Sequence, residues 1–329
     1  MEPPMTLPNA YAIRMHETGG PDVLKVENVP PRAPGPGEVL VRQTAVGVNF
    51  IDTYHRTGLY KVPLPFVPGS EGAGVVEEVG EGVTHLEPGD RVAYTGRGTY
   101  STHYTGPAAT AVPLPAGISD EEAAAVMLKG MTVWMLLEEI RPLQKGDTAL
   151  VWAPVGGVGS LLTPWAKHIG ARVIAVTSSE AKAHKARALG ADEVVVGYDD
   201  VAKQVRALTN GKGVDVVYDS VGKISMEASL SSLRPRGWFI SYGNASGAAD
   251  PIPPGRLAAG GSLVMTRPTL FNFTDTPDSL ARASRRLFSL LESGVLTADI
   301  GQRFALKDAA DAHRALESGK TSGAILLMP

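Results

Sequence analysis

Asp147-Thr148-Ala149-Leu150-Val151-Trp152-Ala153-Pro154-Val155-Gly156-Gly157-Val158-Gly159 is the stretch around which the rest of the chain arranges itself. A short apolar run reads as a strand, a glycine cluster follows, and an apolar helical pattern then continues to His168. At such a junction glycines supply the sharp turn and let backbone approach a pyrophosphate. The helix N-terminus adds unpaired N–H groups and a partial positive charge. The cluster is not a full G-x-G-x-x-G, and glycines alone would serve a plain turn as readily. Its context argues for a dinucleotide.

That context is an alternation repeated downstream. ARVIAVTS (171–178) precedes a helix to Leu189, EVVVGY (193–198) a helix to Leu208, and VDVVYDS (214–220) a helix to Leu233. GWFISYG (237–243) and SLVMTRP (262–268) complete six strands. The runs are continuous and rich in Val and Ile, as strands buried on both faces are. The fold class predicted is α/β, with a doubly wound parallel sheet.

The second strand selects the dinucleotide. Sites for NAD usually end it with an acid on the ribose 2′-hydroxyl. Here it ends Thr177-Ser178-Ser179, and Lys182 follows one turn on. Hydroxyls and a lysine suit a 2′-phosphate, so NADPH is the predicted cofactor. The plainer alternative is that Ser178 and Ser179 cap the next helix and Lys182 is solvated, and Glu180 could turn inward.

Before residue 120 the pattern differs. AYAIRM from Ala10, GEVLVRQTAVGV from Gly37, EGAGVVEEVG from Glu71 and GDRVAY from Gly89 read as short strands punctuated by Pro and Gly. They suggest an antiparallel, barrel-like β domain. Ser119-Asp120-Glu121-Glu122 reads as a capping box opening a helix towards Glu139. Two amphipathic helices, about 279–293 and 307–318, and a last strand, GAILLMP, end the chain. The predicted boundaries are 1–126 for the first part of a β-rich catalytic domain, 127–268 for the nucleotide domain and 269–329 for a return to the first.

Composition excludes other classes. With no cysteine among 329 residues there is no disulfide, thiol nucleophile or iron–sulfur cluster. A net charge of 31 − 34 = −3 and the lack of a Lys/Arg stripe make nucleic acid an unexpected partner. No run reaches a membrane span, and Met1 to Asn9 lacks a signal-peptide pattern, so a cytoplasmic protein is expected.

Seven ordered runs together resemble the medium-chain dehydrogenase/reductase superfamily. They are Val48–Tyr54 (VNFIDTY), Pro68–Gly74 (PGSEGAG), Leu128–Thr132 (LKGMT), Gly156–Gly159 (GGVG), Tyr218–Gly222 (YDSVG), Gly243–Gly247 (GNASG) and Thr266–Pro268 (TRP). The similarity spans nearly the whole chain and points to the zinc-free, zeta-crystallin-like quinone oxidoreductase branch. The β-rich domain is then expected to be GroES-like. Zinc-dependent relatives hold the metal with two cysteines and a histidine. Asn49, Ser70 and Lys129 stand at the matching positions, and an amide, a hydroxyl and an ammonium make no such site. No metal is therefore expected. Without a Lewis acid for an alkoxide, the substrate should already be electron-poor. NADPH-dependent transfer of electrons or hydride to a quinone is the predicted activity. The alternatives are an alkenal or enoyl reductase and a non-catalytic NADPH-binding protein.

The resemblance implies that Asn49, Tyr54 and Lys129 line the reacting end, with Asn49 and Lys129 also on the cofactor. Asn49 and Tyr54 fall on a predicted strand end and the turn that follows it, and the plainer roles are an Asx turn for Asn49, core packing for Tyr54 and snorkelling for Lys129. Lys129 is set in the apolar run Ala124–Leu128, and Thr132 should share its side of the helix. Cofactor contacts are expected from Gly156, Gly157, Val158, Gly159, Ser178, Ser179, Lys182 and Tyr198, with Tyr198 near the 2′-phosphate. Ser220, Tyr242, Gly243, Asn244 and Thr266 are added because ligands of parallel sheets bind at strand carboxyl ends. Asp219 could simply cap a helix. Two departures are Pro154, which removes a backbone donor from the loop, and Pro164, expected to cost a bond with Ser160 and kink the helix. The family also implies a homodimer joined through edge strands of the nucleotide domains.

Overall fold

The computed structural model describes residues 10–329, so the expectation about Met1 to Asn9 lies outside the described residues. In chain order the first half holds β1 (Ala12–Arg14), β2 (Lys25–Glu27), β3 (Glu38–Val48), α1 (Phe50–Thr57), β4 (Glu71–Val79), β5 (Arg91–Thr95), β6 (His103–Pro107), β7 (Ala111–Pro113) and α2 (Asp120–Trp134). The alternating part holds β8 (Thr148–Trp152), α3 (Gly159–Ile169), β9 (Arg172–Thr177), α4 (Glu180–Ala188), β10 (Glu193–Val196), α5 (Val201–Leu208), β11 (Val214–Asp219), α6 (Met226–Ser232), β12 (Leu233–Ser241), α7 (Pro254–Ala259) and β13 (Val264–Thr266). The chain closes with α8 (Pro277–Glu292), β14 (Ile300–Ala305), α9 (Ala309–Glu317) and β15 (Ala324–Met328).

Two compact units result. One takes the chain up to Met131 with Thr276–Ser293 and Ala298–Pro329, and the other takes Thr132–Asp275 with Gly294–Thr297. These changeovers fall five and seven residues beyond the expected 126 and 268, because α2 is a continuous helix through the first of them.

In the second unit the sheet order is β10-β9-β8-β11-β12-β13, all parallel. This is the doubly wound order, and it reverses between β8 and β11. Ligands of such sheets bind at the carboxyl ends beside that reversal. Leu150, Trp152, Ile174, Val176, Val217 and Phe239 are among the residues packed into its core. Pro164 lies inside α3 and the helix runs through it to Ile169.

In the first unit, β14-β15-β3-β4-β5-β7 form a second sheet, with β6 also pairing β3. Its pairs are antiparallel, as the short strands suggested, except β14 with β15, which is parallel. The box expected at Ser119 is formed. Ser119 N–H donates to Glu122 Oε2 at 2.9 Å and Glu122 N–H donates to Ser119 Oγ at 3.2 Å. The helix it opens then widens into a π-helical stretch, Met135–Ile140.

The turn expected after β3 is instead a helix. Asn49 is extended and Asp52, three residues on, takes its N–H at 2.9 Å, so α1 starts at once. Tyr54 therefore sits mid-helix rather than on a turn.

Candidate active site

In the nucleotide unit β8 ends at Trp152, and Ala153 adopts a left-handed φ of 53°. Gly156 N–H turns back to Ala153 C=O at 3.1 Å, and the ladder of α3 begins with Ser160 N–H to Gly156 C=O at 2.8 Å. The N–H groups ahead of it are those a helix leaves for an outside acceptor, and Pro154 contributes none. Gly159 is required for another reason. A Cβ there would lie 2.1 Å from Ala153 O, so only glycine lets α3 pack on the turn.

The 2′-phosphate candidates occupy neighbouring strand ends. Ser178 is exposed just beyond β9, and Ser179 is the N-cap of α4, its Oγ accepting Lys182 N–H at 3.4 Å. The capping alternative thus describes Ser179. Lys182 is half-buried, and burial pushes its ammonium below the ordinary value. Tyr198, 44% exposed, leans on the Trp152 ring at 5.8 Å, which joins the ends of β10 and β8.

Ser220 and Gly243 follow β11 and β12 in backbone contact so close that a Cβ on Gly243 would lie 2.3 Å from Ser220 O. Tyr242 is partly covered, and burial pushes its hydroxyl up against the opposing effect of Ser220 beside it. Thr266 ends β13. Arg267, next in sequence, ties the group together. It donates to Ser241 Oγ at 3.0 Å and Gly243 C=O at 2.8 Å, and Asn244 accepts from it at 3.1 Å. Asp219 accepts from Val221, Gly222, Ser225 and Ser229, so it organises the turn into α6.

The reacting-end candidates Asn49, Tyr54 and Lys129 lie in the first unit, and Thr132, three residues beyond Lys129 on α2, is the first residue of the second. Asn49 and Lys129 converge on a carboxylate that sequence reasoning did not select. Glu71, fully buried at the start of β4, accepts from Asn49 Nδ2 at 2.8 Å, from Leu128 N–H at 2.6 Å and from Lys129 Nζ. Gly47 makes the room, since a Cβ there would meet Glu71 Oε1 at 2.2 Å. Ser70 turns the other way and donates to Asp52 Oδ1 at 2.6 Å. Burial pushes Asp52 up to about 6 against the donors Ser70, Asn49 and Tyr100, and neighbouring Glu71 adds to the rise. Tyr54 is buried edge-on to Tyr60 at 5.3 Å and tilted to Phe50 at 6.3 Å. An acid within the apolar, glycine-rich opening of β4 is the signal by which Glu71 could have been found.

This donor set does not fit zinc. The side chains of Asn49, Ser70 and Lys129 all donate to carboxylates, whereas a metal needs lone pairs turned on a common centre.

Residues 35–116 match the family of the alcohol dehydrogenase GroES-like domain, and residues 157–285 match that of the zinc-binding dehydrogenases. A quinone oxidoreductase of Pseudomonas aeruginosa is 48% identical over 97% of this chain and 100% of its own. A 2-haloacrylate reductase of a Burkholderia species is 43% identical over 96% and 98%. The crystal structure of Escherichia coli quinone oxidoreductase complexed with NADPH superposes with a TM-score of 0.95, at 43% identity, covering 97% of this chain and 100% of that one.

Proposed function

The chain belongs to the medium-chain dehydrogenase/reductase superfamily, on its quinone oxidoreductase branch, and on that premise we propose that it reduces quinones with NADPH and without zinc. The single observation that carries the zinc-independent reading is the turning of Asn49, Ser70 and Lys129 onto buried carboxylates. The glycine turn before α3 and a second strand with no acid at its tip support NADPH, as do the NADPH complexes among its structural relatives.

NADPH supplies the hydride when bound. The backbone of Gly156, Gly157, Val158 and Gly159 holds the pyrophosphate at the head of α3. Ser178, Lys182 and Tyr198 receive the 2′-phosphate, with Ser179 fixing the start of α4 beneath it. Ser220, Tyr242, Gly243, Asn244 and Thr266 line the strand ends at the nicotinamide side. Asn49, Lys129 and Thr132 complete the cofactor's surroundings, and Lys129 and Tyr54 offer hydrogen bonds to the quinone oxygen on which negative charge develops. The first unit, up to Met131, carries the substrate end, and Thr132–Asp275 carries the larger part of the cofactor's contacts.

A second substrate class is supported by the 2-haloacrylate reductase relative. An alkene beside a carboxylate is electron-poor as a quinone is, and accepts a hydride from the same cofactor.

β13 leaves an open edge to the parallel sheet, with Val264 36% and Met265 38% exposed. That edge supports a homodimer joined there. Among the described residues no helix is long and apolar enough to cross a membrane, and we place the protein in the cytoplasm, away from nucleic acid.

The deciding experiment is steady-state kinetics of metal-free protein with NADPH and with NADH, over a panel of quinones and 2-haloacrylates. NADPH-preferring turnover is expected. An equal or better kcat/KM with NADH, or a requirement for added zinc, overturns the proposal.

A further inference from the structure

Asp52 is a carboxylate of 0% exposure with no cation among its hydrogen-bond partners in the described residues. Its partners are Asn49 N–H, Ser70 Oγ and Tyr100 Oη, the last at 3.1 Å. Tyr100 Oη also lies 3.0 Å from His313 Nε2. His313 Nδ1 in turn lies 3.1 Å from Arg56 Nη1. Arg56, 2% exposed, continues to the exposed Glu317 at 2.7 and 3.0 Å and to Gly19 C=O at 3.0 Å. The chain thus joins α1 to the loop before β6 and to α9, across a separation of 257 residues between Arg56 and His313.

Donor chemistry gives this chain a direction. A guanidinium only donates, so His313 Nδ1 must accept. Burial and the Arg56 charge push the imidazole down to about 3, so it is neutral and its single proton sits on Nε2. Nε2–H then donates to Tyr100 Oη, which leaves the phenol proton for Asp52. Each bond from Arg56 onwards points at the buried carboxylate, and the carboxylate in turn grips Asn49 N–H and the Ser70 hydroxyl.

We propose that Tyr100 and His313 are positioning residues, a relay that extends the charge of Arg56 to Asp52 and through it holds Asn49 in the orientation used at the reacting end. This rests on the role given to Asn49 above. Asp52 must stay ionised for the grip to hold, since the protonated acid loses an acceptor site. Besides the relay, the charged group it faces among the described residues is the Glu71 carboxylate, which opposes ionisation and is itself tied to Lys129. His313 faces Arg56 and Tyr100, and Glu317 lies beyond Arg56.

The test compares Tyr100→Phe, His313→Leu and His313→Gln with the parent. A glutamine amide keeps an acceptor for Arg56 and a donor for Tyr100, whereas leucine keeps neither. The acid limb of kcat/KM, set by Asp52 near pH 6 in the parent, should move up by about one pH unit in Tyr100→Phe and His313→Leu. Activity near pH 6.5 should fall about threefold, with little change at pH 8.5, and His313→Gln should restore the parent's limb. The protonation of Asp52 is followed separately, as the carboxylic C=O infrared band that Asp52→Asn deletes. Lowered Tm with an unmoved limb and an unmoved band would show a merely structural role and overturn the proposal, as would a limb displaced equally in His313→Gln. If the band moves as expected while the parent turns over no quinone or haloacrylate, the relay stands and the activity assigned above fails.

Discussion

The candidate residues of the two units are built on opposite principles. The turn from Trp152 to Gly159 is continuous in sequence and works mainly through backbone, so its requirements are absences: no side chain at Gly159, no acid at the tip of β9. The cluster around Glu71 and Asp52 draws on β3, α1, β4, α2 and α9 and works through side chains whose charges are satisfied only by one another. A backbone site tolerates change in what surrounds it as long as the turn forms. A buried polar cluster fails as a unit, because each removed partner strands a group that cannot reach water.

The largest expected effect tests that contrast. Lys129→Met should lower unfolding free energy by about 3–5 kcal/mol in chemical denaturation, since it leaves Glu71 buried and uncompensated. Adding Glu71→Gln should recover a large part of it, and strict additivity in that cycle would show that the pair is not coupled.

The next effect is in the pH dependence of stability, where the cluster holds two groups of opposite sign. Asp52 is raised to about 6, so the stability linked to its protonation is present below the unfolded value, about 3.9, and is lost as pH rises through 6. His313 is depressed to about 3, so its contribution is whole above about 6.5 and is lost as pH falls towards 3. Between pH 4 and 6 the two oppose. His313→Gln should therefore unmask a loss of stability with rising pH, and Asp52→Asn a gain, each approaching about 3 kcal/mol over the window. Parallel curves for the parent and both variants would refute the assignment.

The backbone half should respond in cofactor binding. Gly159→Ala places a Cβ against Ala153 O and should cost about 1–3 kcal/mol, read as a 5- to 150-fold rise in KM for NADPH. Lys182→Ala is the mildest change. It should raise KM for NADPH about tenfold and leave that for NADH alone. Equal effects on the two cofactors would remove Lys182 from the 2′-phosphate.

The same contrast explains what could be read in advance. β8, β9, β11 and β12 were legible as apolar runs, and Ser119 with Glu122 as a capping box, because both signals are local. β2, β6, β7 and β14 were not read, being short pieces with weak patterns whose pairing is supplied by distant neighbours. Tyr54 was placed on a turn because α1 is only eight residues long. Asn49 and Lys129 were singled out by the resemblance and, for Lys129, by an apolar setting. Their common partner was passed over because the one local sign of Glu71, an acid in the glycine-rich opening of β4, names no partner until β3, with Gly47 at the contact, is folded beside it.

By itself the sequence determined the parallel nucleotide sheet, its glycine turn and the lack of cysteine ligands, since each depends on residue type at neighbouring positions. Only the tertiary structure decided which groups share a proton or a charge. A hydrogen bond is set by geometry within about 3 Å, and the chain brings Arg56 to His313, and Lys129 to Glu71, only when the sheet of the first unit is assembled.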